Sequence, residues 1–329
     1  AETVSRKVLN ALHTPFVVDT HELHVSCSIG ISLYPADGLD AEVLMRAADA
    51  AMYHAKGKGR GNYQFFTPAL DAATQHRLLL GNQLRQALAR SEFSLHYQPQ
   101  VDISSGRIFA AEALLRWKQP GRGPISPTEF IPIAEETGLI LPLGEWVLRE
   151  ACMQLKRWRN AGHTDMMVAV NLSVRQVLQP GFAQSIARLL EEVGLPPDAL
   201  DLEITESILM QPNDDNLASL TQLSGMGIQL SMDDFGTGYS SLSYLKRFPI
   251  QALKIDQSFV RGIGQHANDM AIITAIIAMA RTLRLRVIAE GVETAEQAAF
   301  VQVHGCSSAQ GNFYSRPVTA EVFARLLEE

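Results

Sequence analysis

Cysteine, basic runs and long apolar runs are all scarce in this 329-residue chain, and each scarcity excludes a class of protein. The three cysteines, Cys27, Cys152 and Cys306, stand far apart with no CxxC pair. That spacing excludes a disulfide framework or a cysteine-held zinc, and it fits a reducing, cytoplasmic compartment. None of the nine histidines belongs to an HExxH motif. The nearest thing to a metal pair, HELH at 21–24, reads as a surface hairpin because nothing beside it offers a further ligand. Net charge is −7 and no segment gathers lysine and arginine. A nucleic-acid polymer held on a broad cationic face is thereby excluded, whereas a small anion held by a few local cations is not. The longest apolar run, AIITAIIAMA at 271–280, is too short to span a bilayer and reads as a buried helix. No signal-peptide pattern is present, so this segment is expected to make no membrane contact, although a longer protein could be anchored through other domains.

What the chain does contain is a large apolar fraction, 47%, enough for two domains. Residues 24–36, HVSCSIGISLYPA, alternate like a strand, and 40–59 carry helical apolar spacing. Residues 67–91 read as a linking helix between a domain at 1–66 and a larger one at 92–329. In the larger domain eight apolar strands are expected, at 94–101, 107–117, 166–173, 199–206, 227–234, 251–256, 285–292 and 306–311. The turn DISSG joins the first two antiparallel, and helix-length segments separate the others. An α/β fold follows: a TIM-like (β/α)8 barrel with an antiparallel first strand.

In such a barrel the carboxyl ends of the strands carry the functional groups. Those ends hold Glu112, Asn171, Glu203, Asp233 with Asp234, Lys254 with Asp256, Glu290 with Glu293, and Gln310. Taken singly, each has a bland reading. Asn171 could cap a short helix, Glu203 and Glu206 could be solvated, one of Asp233 and Asp234 could cap the helix after them, and Lys254 could lie on the surface. Thr294 with Gln297 forms a capping box and needs no further role. Coincidence of all the others on one rim is what chance does not supply. Six carboxylates (Glu112, Glu203, Asp233, Asp234, Glu290 and Glu293) face two cations, Lys254 and Arg116, leaving about four negative charges, the charge of two divalent cations. Oxygen-only donors select Mg²⁺ or Mn²⁺ over zinc. Two such ions suit in-line attack of water on a phosphodiester, with Asp233 touching both, Lys254 orienting or deprotonating the water and Arg116 on a phosphate oxygen.

The segments YQPQVD, AEALLRW, VNLS, LEITES, DDFGTGYSSL, LKID, AEGVE and QG…SRP, in this order, resemble the EAL domain family over about 80–326. The resemblance implies hydrolysis of cyclic di-GMP to linear pGpG with Mg²⁺ or Mn²⁺. It implies metal ligation by Glu112, Asn171, Glu203, Asp233, Asp234 and Glu290, with Glu112, Lys254, Glu293 and Gln310 in the catalytic set. Arg116, Gln98 and Asp256 are assigned to the substrate, as is the segment 129–138. Glu206 anchors a loop, 233–243, that couples the site to a homodimer contact, and Gly236 and Gly238 give that loop its freedom. Ser307 and Asn312 depart from the acidic and aromatic residues usual there, without removing a ligand. Residues 1–66 resemble the second half of a GGDEF (diguanylate cyclase) domain through SIGISLYPADG and DAAMYHAKGKGRGNYQFF, with Gly61-Asn62 departing from the usual Asn-Arg. The signature naming that domain is absent, so the segment is expected to be non-catalytic and the chain to be part of a longer GGDEF–EAL protein. Two other readings stay open at this point: a receptor that binds cyclic di-GMP without cleaving it, and a divalent-metal barrel enzyme acting on carbon acids.

Overall fold

The computed structural model describes residues 1–18, 21–23, 25–59, 61–208, 214–237, 245 and 247–328. It divides into two compact units, Ala1–Arg85 and Gln86–Glu329, with the division inside the helix Pro68–Ala87.

In the first unit, helix Glu2–His13 is followed by an antiparallel hairpin of β1 (Phe16–Val18) and β2 (His21–Leu23). The expected hairpin around HELH is therefore present up to Leu23; His24 lies outside the described residues. β3 (Ile29–Ile31) pairs parallel with β4 (Tyr63–Phe65), with helix Ala41–Gly57 between them. The strand expected over 24–36 shrinks to three residues, because β4 offers a partner only to Ile29, Gly30 and Ile31. Gly30 sits against the helix so closely that a Cβ there would lie 1.8 Å from the Ala48 carbonyl oxygen. The helix buries Ala47, Ala50, Ala51 and Ala55 along one stripe and starts where Asp40 accepts a bond from the Val43 N–H at 2.9 Å.

In the second unit all eight expected strands form one closed sheet. In chain order they are β5 (Phe93–Asp102), β6 (Ile108–Gln119), β8 (Met167–Leu172), β9 (Leu200–Thr205), β10 (Gln229–Phe235), β11 (Ala252–Ile255), β12 (Arg286–Ala289) and β13 (Ser308–Gln310). A short extra strand, β7 (Gly123–Ile125), extends the far end of β6. Among the eight barrel strands neighbours are parallel except for β5, which runs antiparallel to both β6 and β13 and closes the barrel; β7 lies antiparallel on β6. Helices Ile140–Asn160, Phe182–Val193, Asp214–Gly225, Ala267–Thr282 and Ala295–Val303 link successive strands. The first of these buries Leu143, Val147, Leu148, Ala151, Cys152, Leu155 and Trp158, the 3–4 spacing of a helix laid on a sheet. Thr294 and Gln297 make the expected capping box. Asn171 is not a cap: Ser173 takes that place, with Gln176 closing its own box.

Gly291 follows Glu290 directly and holds φ +65°, and a Cβ there would meet the Gln257 Cβ at 2.5 Å. Gly291→Ala is therefore expected to cost about 2 kcal/mol, from a disfavoured backbone and an overlap that backbone must relieve. Calorimetric melting checks this, and an unchanged midpoint would contradict it.

Candidate active site

Alternation along the strands sends one set of side chains into the barrel, and the polar set gathers at one end of the lumen. Its centre is Lys254, 0% exposed, on β11. The Lys254 Nζ lies 2.7 Å from Glu203 Oε2, 2.7 Å from Glu290 Oε1, 3.2 Å from Asp233 Oδ1 and 3.5 Å from Glu112 Oε2. Residues from β6, β9, β10, β11 and the end of β12 thus meet at one ammonium. Asn171 on β8 donates its Nδ2 to Glu112 Oε1 at 2.7 Å. Gln310 on β13 donates its Nε2 to the other Glu112 oxygen and, at 3.0 Å, to Gln98 Oε1 on β5. Gln98 in turn donates to the Ser315 carbonyl at 3.0 Å.

Adjacent residues of a strand point to opposite faces, so Asp233 and Asp234 should diverge. They do not, because the register of β10 against β11 shifts between Met232 and Phe235, and Asp234 takes the left-handed conformation at φ +53°. Aspartate tolerates this better than most residues. The bulge brings carboxylate oxygens of Asp233, Asp234 and Glu290 within 4.8 Å of one another.

Charge in this space is out of balance. Burial works against the Lys254 ammonium, but Asp233, Glu112, Glu203 and Glu290 overcome it and hold its pKa well above the ordinary lysine value. One ammonium does not satisfy so many acids. Burial, with the Glu112 charge next, raises Glu203 well above the usual carboxylate range. Burial raises Glu290 to about 8 against the opposing pull of Lys254, and burial with the Asp233 and Asp256 charges raises Asp234 to about 6. Glu112 goes the other way: burial would raise it, but Lys254 and the Gln310 and Asn171 amides keep it low.

The remaining expected residues separate into two groups. Arg116 is half-buried on the same face of β6 as Glu112, about 13 Å further along the strand at ~3.3 Å per residue. Burial lowers its pKa, and the Glu112 charge opposes that. Glu206 accepts the Gly236 N–H at 3.4 Å, tying the end of β9 to the loop after β10. Gly238 and most of the loop 233–243 lie outside the described residues. Asp256 caps the short helix Gln257–Arg261, accepting from the Ser258 N–H at 3.0 Å, and its charge faces Asp234. Glu293 is not brought into the cluster; its exposed carboxylate has the Arg261 guanidinium at 3.9 Å. The sequence reading singled out no residue for the tier below, where Gln100, Asp201 and Ser231 are buried. The available signal was parity, since each stands two residues from a residue already singled out.

Residues 81–317 match the model of the EAL domain, and residues 1–62 match that of the diguanylate cyclase, GGDEF domain. The chain is 48% identical over 321 residues to MucR of Pseudomonas aeruginosa, named a bifunctional diguanylate cyclase/cyclic di-GMP phosphodiesterase, covering 98% of this chain and 47% of MucR. It is 41% identical to PdeR of Escherichia coli, named a cyclic di-GMP phosphodiesterase, covering 98% of this chain and 49% of PdeR. The chain thus spans about half the length of these curated relatives. A solved structure of PaMucR phosphodiesterase in complex with c-di-GMP superposes with TM-score 0.72 at 48% identity, covering 74% of this chain and 99% of that one. With the eight-stranded barrel, its antiparallel first strand and a family model matched over most of its length, the chain belongs to the EAL domain family.

Proposed function

We propose that the barrel hydrolyses cyclic di-GMP to linear 5′-pGpG with two divalent cations, Mg²⁺ or Mn²⁺. One observation carries the reading: five acids and one buried lysine share a single pocket in which three carboxylates converge within 4.8 Å. The donors fit hard ions, being carboxylate and amide oxygens without cysteine or histidine, and the raised pKa values of Glu203, Asp234 and Glu290 reflect crowded, buried negative charge that Lys254 alone does not offset. Asp233, Asp234 and Glu290 would hold one ion and, with Glu112, Asn171 and Glu203, complete the pair. Ions held there would lower the pKa of a bound water so that it could attack as hydroxide, and would offset charge on the phosphate oxygens. The names of the relatives MucR and PdeR support the choice of substrate.

The chain's own groups then have separate tasks. Lys254, held as an ammonium, orients the attacking water by donating hydrogen bonds and is no base. Arg116, further out on β6, grips a phosphate oxygen. Gln310 and Gln98 fix the orientation of Glu112. The water oxygen bonds to phosphorus, the bond from phosphorus to the 3′ oxygen breaks, and that oxygen leaves with a proton, giving a 5′-phosphate and a free 3′ hydroxyl. Asp256, on a helix cap, acts on Asp234 through its charge, and Glu293, in an exposed ion pair with Arg261, takes no part in the step. We further propose that residues 1–66 are a non-catalytic GGDEF half, 67–91 a linker and 92–329 the phosphodiesterase. The loop held by Glu206 would couple the site to a homodimer contact.

Glu112→Ala removes a ligand and leaves Asn171 and Gln310 without their shared acceptor, so turnover should fall at least about a hundredfold. Cyclic di-GMP affinity measured in Ca²⁺ should survive in part; near-normal hydrolysis by this variant would sink the assignment. Product analysis of the unaltered chain tests the reading itself: cyclic di-GMP that binds but stays intact at saturating metal identifies a receptor.

A pH effect follows from the raised carboxyls. Groups whose folded pKa lies above the unfolded value stabilise the metal-free chain at low pH, and that stability is lost as pH rises through the folded values. Asp234, at about 6, has lost its share by about pH 6, and Glu290, at about 8, loses the rest up to about pH 8. The metal-free melting temperature should therefore drop between about pH 6 and pH 8 through Glu290, and added Mg²⁺ should raise it more at the higher pH. A Mg²⁺ stabilisation equal at both pH values would contradict this. If the loop couples to a dimer, activity per chain falls on dilution; a fully active, dilution-independent monomer refutes the coupling.

A further inference from the structure

Below the acidic cluster the lumen holds a second tier of side chains. The residue two positions before Glu112, Asn171 and Lys254 is alanine in each strand: Ala110, Ala169 and Ala252. Under Glu203 and Asp233 the same tier instead carries Asp201 and Ser231, 2% and 0% exposed. β9 and β10 are parallel, with Glu203 opposite Ser231 and Asp201 opposite Gln229. By parity Asp201 and Glu203 share one face of β9, and Ser231 and Asp233 share one face of β10. The Ser231 hydroxyl donates to Asp201, its Oγ standing 2.8 and 2.6 Å from the two carboxylate oxygens. From the opposite side of the barrel Gln100, 0% exposed on β5, donates its Nε2 to Glu203 Oε1 at 3.2 Å.

Such groups are a poor choice for stability alone. Burying a carboxylate whose one hydrogen-bond donor among the described residues is a hydroxyl is costly, and small apolar residues serve the same tier elsewhere in this barrel. What the polar residues supply is direction. Glu203 forms an ion pair with Lys254 through one oxygen, and the other accepts a hydrogen bond from the Gln100 amide, so the carboxylate plane is held from two sides. The Ser231–Asp201 bond cross-links β9 to β10 one tier below the two acids that these strands deliver, setting the separation of Glu203 and Asp233.

We propose that Gln100, Ser231 and Asp201 are positioning residues that hold Glu203 and Asp233 at the spacing a divalent cation requires, an inference that rests on those two acids being metal ligands. The test is Mn²⁺ binding to the full chain, by calorimetry, for Gln100→Met and Ser231→Ala, with Ile186→Val as a core variant away from the lumen. Partners that orient metal ligands typically govern affinity by about 10–100-fold, so each lumen variant should weaken Mn²⁺ binding about tenfold or more. The melting temperature of the metal-free variants should not track that loss, and Ile186→Val should leave Mn²⁺ affinity unchanged while lowering the melting temperature. Mn²⁺ affinity within about twofold of the unaltered chain in both lumen variants, less than an ordinary hydrogen bond is worth, overturns the proposal while leaving the metal reading intact. Failure of the unaltered chain to bind Mn²⁺ overturns the metal reading, and this proposal with it.

Discussion

One buried ammonium organises the barrel's interior. Lys254 is closed off from water, and four carboxylates from four other segments of the chain turn toward it. Without that cation Glu112 and Glu203, both nearly inaccessible, would face each other with amide donors alone between them and the solvent. The same lysine is too little charge for its surroundings, and carboxylates remain in the pocket that it does not neutralise. Structure and chemistry therefore share one cause: the fold tolerates the acids because of Lys254, and the acids outnumber it.

The bulge in β10 turns an awkward sequence into a usable site. Two neighbouring aspartates on a regular strand would place one carboxylate in the lumen and the other among the outer helices. A shift of register and one left-handed residue redirect the second into the mouth. The backbone irregularity thereby does what no choice of side chain in a regular strand could do.

Much of this was legible beforehand. Apolar alternation and turn composition located all eight barrel strands, and the DISSG turn foretold the reversed first strand. The gathering of Glu112, Asn171, Glu203, Asp233 and Lys254 followed from strand ends alone. Other features were not legible, for definite reasons. Parity gave no warning of the bulge, because adjacent acids look the same whether or not the register slips. Glu293 reads like Glu290 in the string AEGVE, yet Gly291 turns the chain between them and sends Glu293 outward to Arg261. Asp256 looked available to a ligand, but the short helix after it had an N-terminus to satisfy. The strand expected over 24–36 was overlong because alternation signals a face, whereas length depends on a partner strand.

The reversed first strand also settles where the chain arrives. Phe93 opens β5 opposite Trp117, beyond Glu112 on the carboxyl-end side of β6, whereas an all-parallel barrel is joined from the underside, remote from its chemistry. Gln98 lies five residues into that strand and touches Gln310 directly. The incoming backbone therefore stands one hydrogen-bond relay, Gln98 to Gln310 to Glu112, from the acidic cluster.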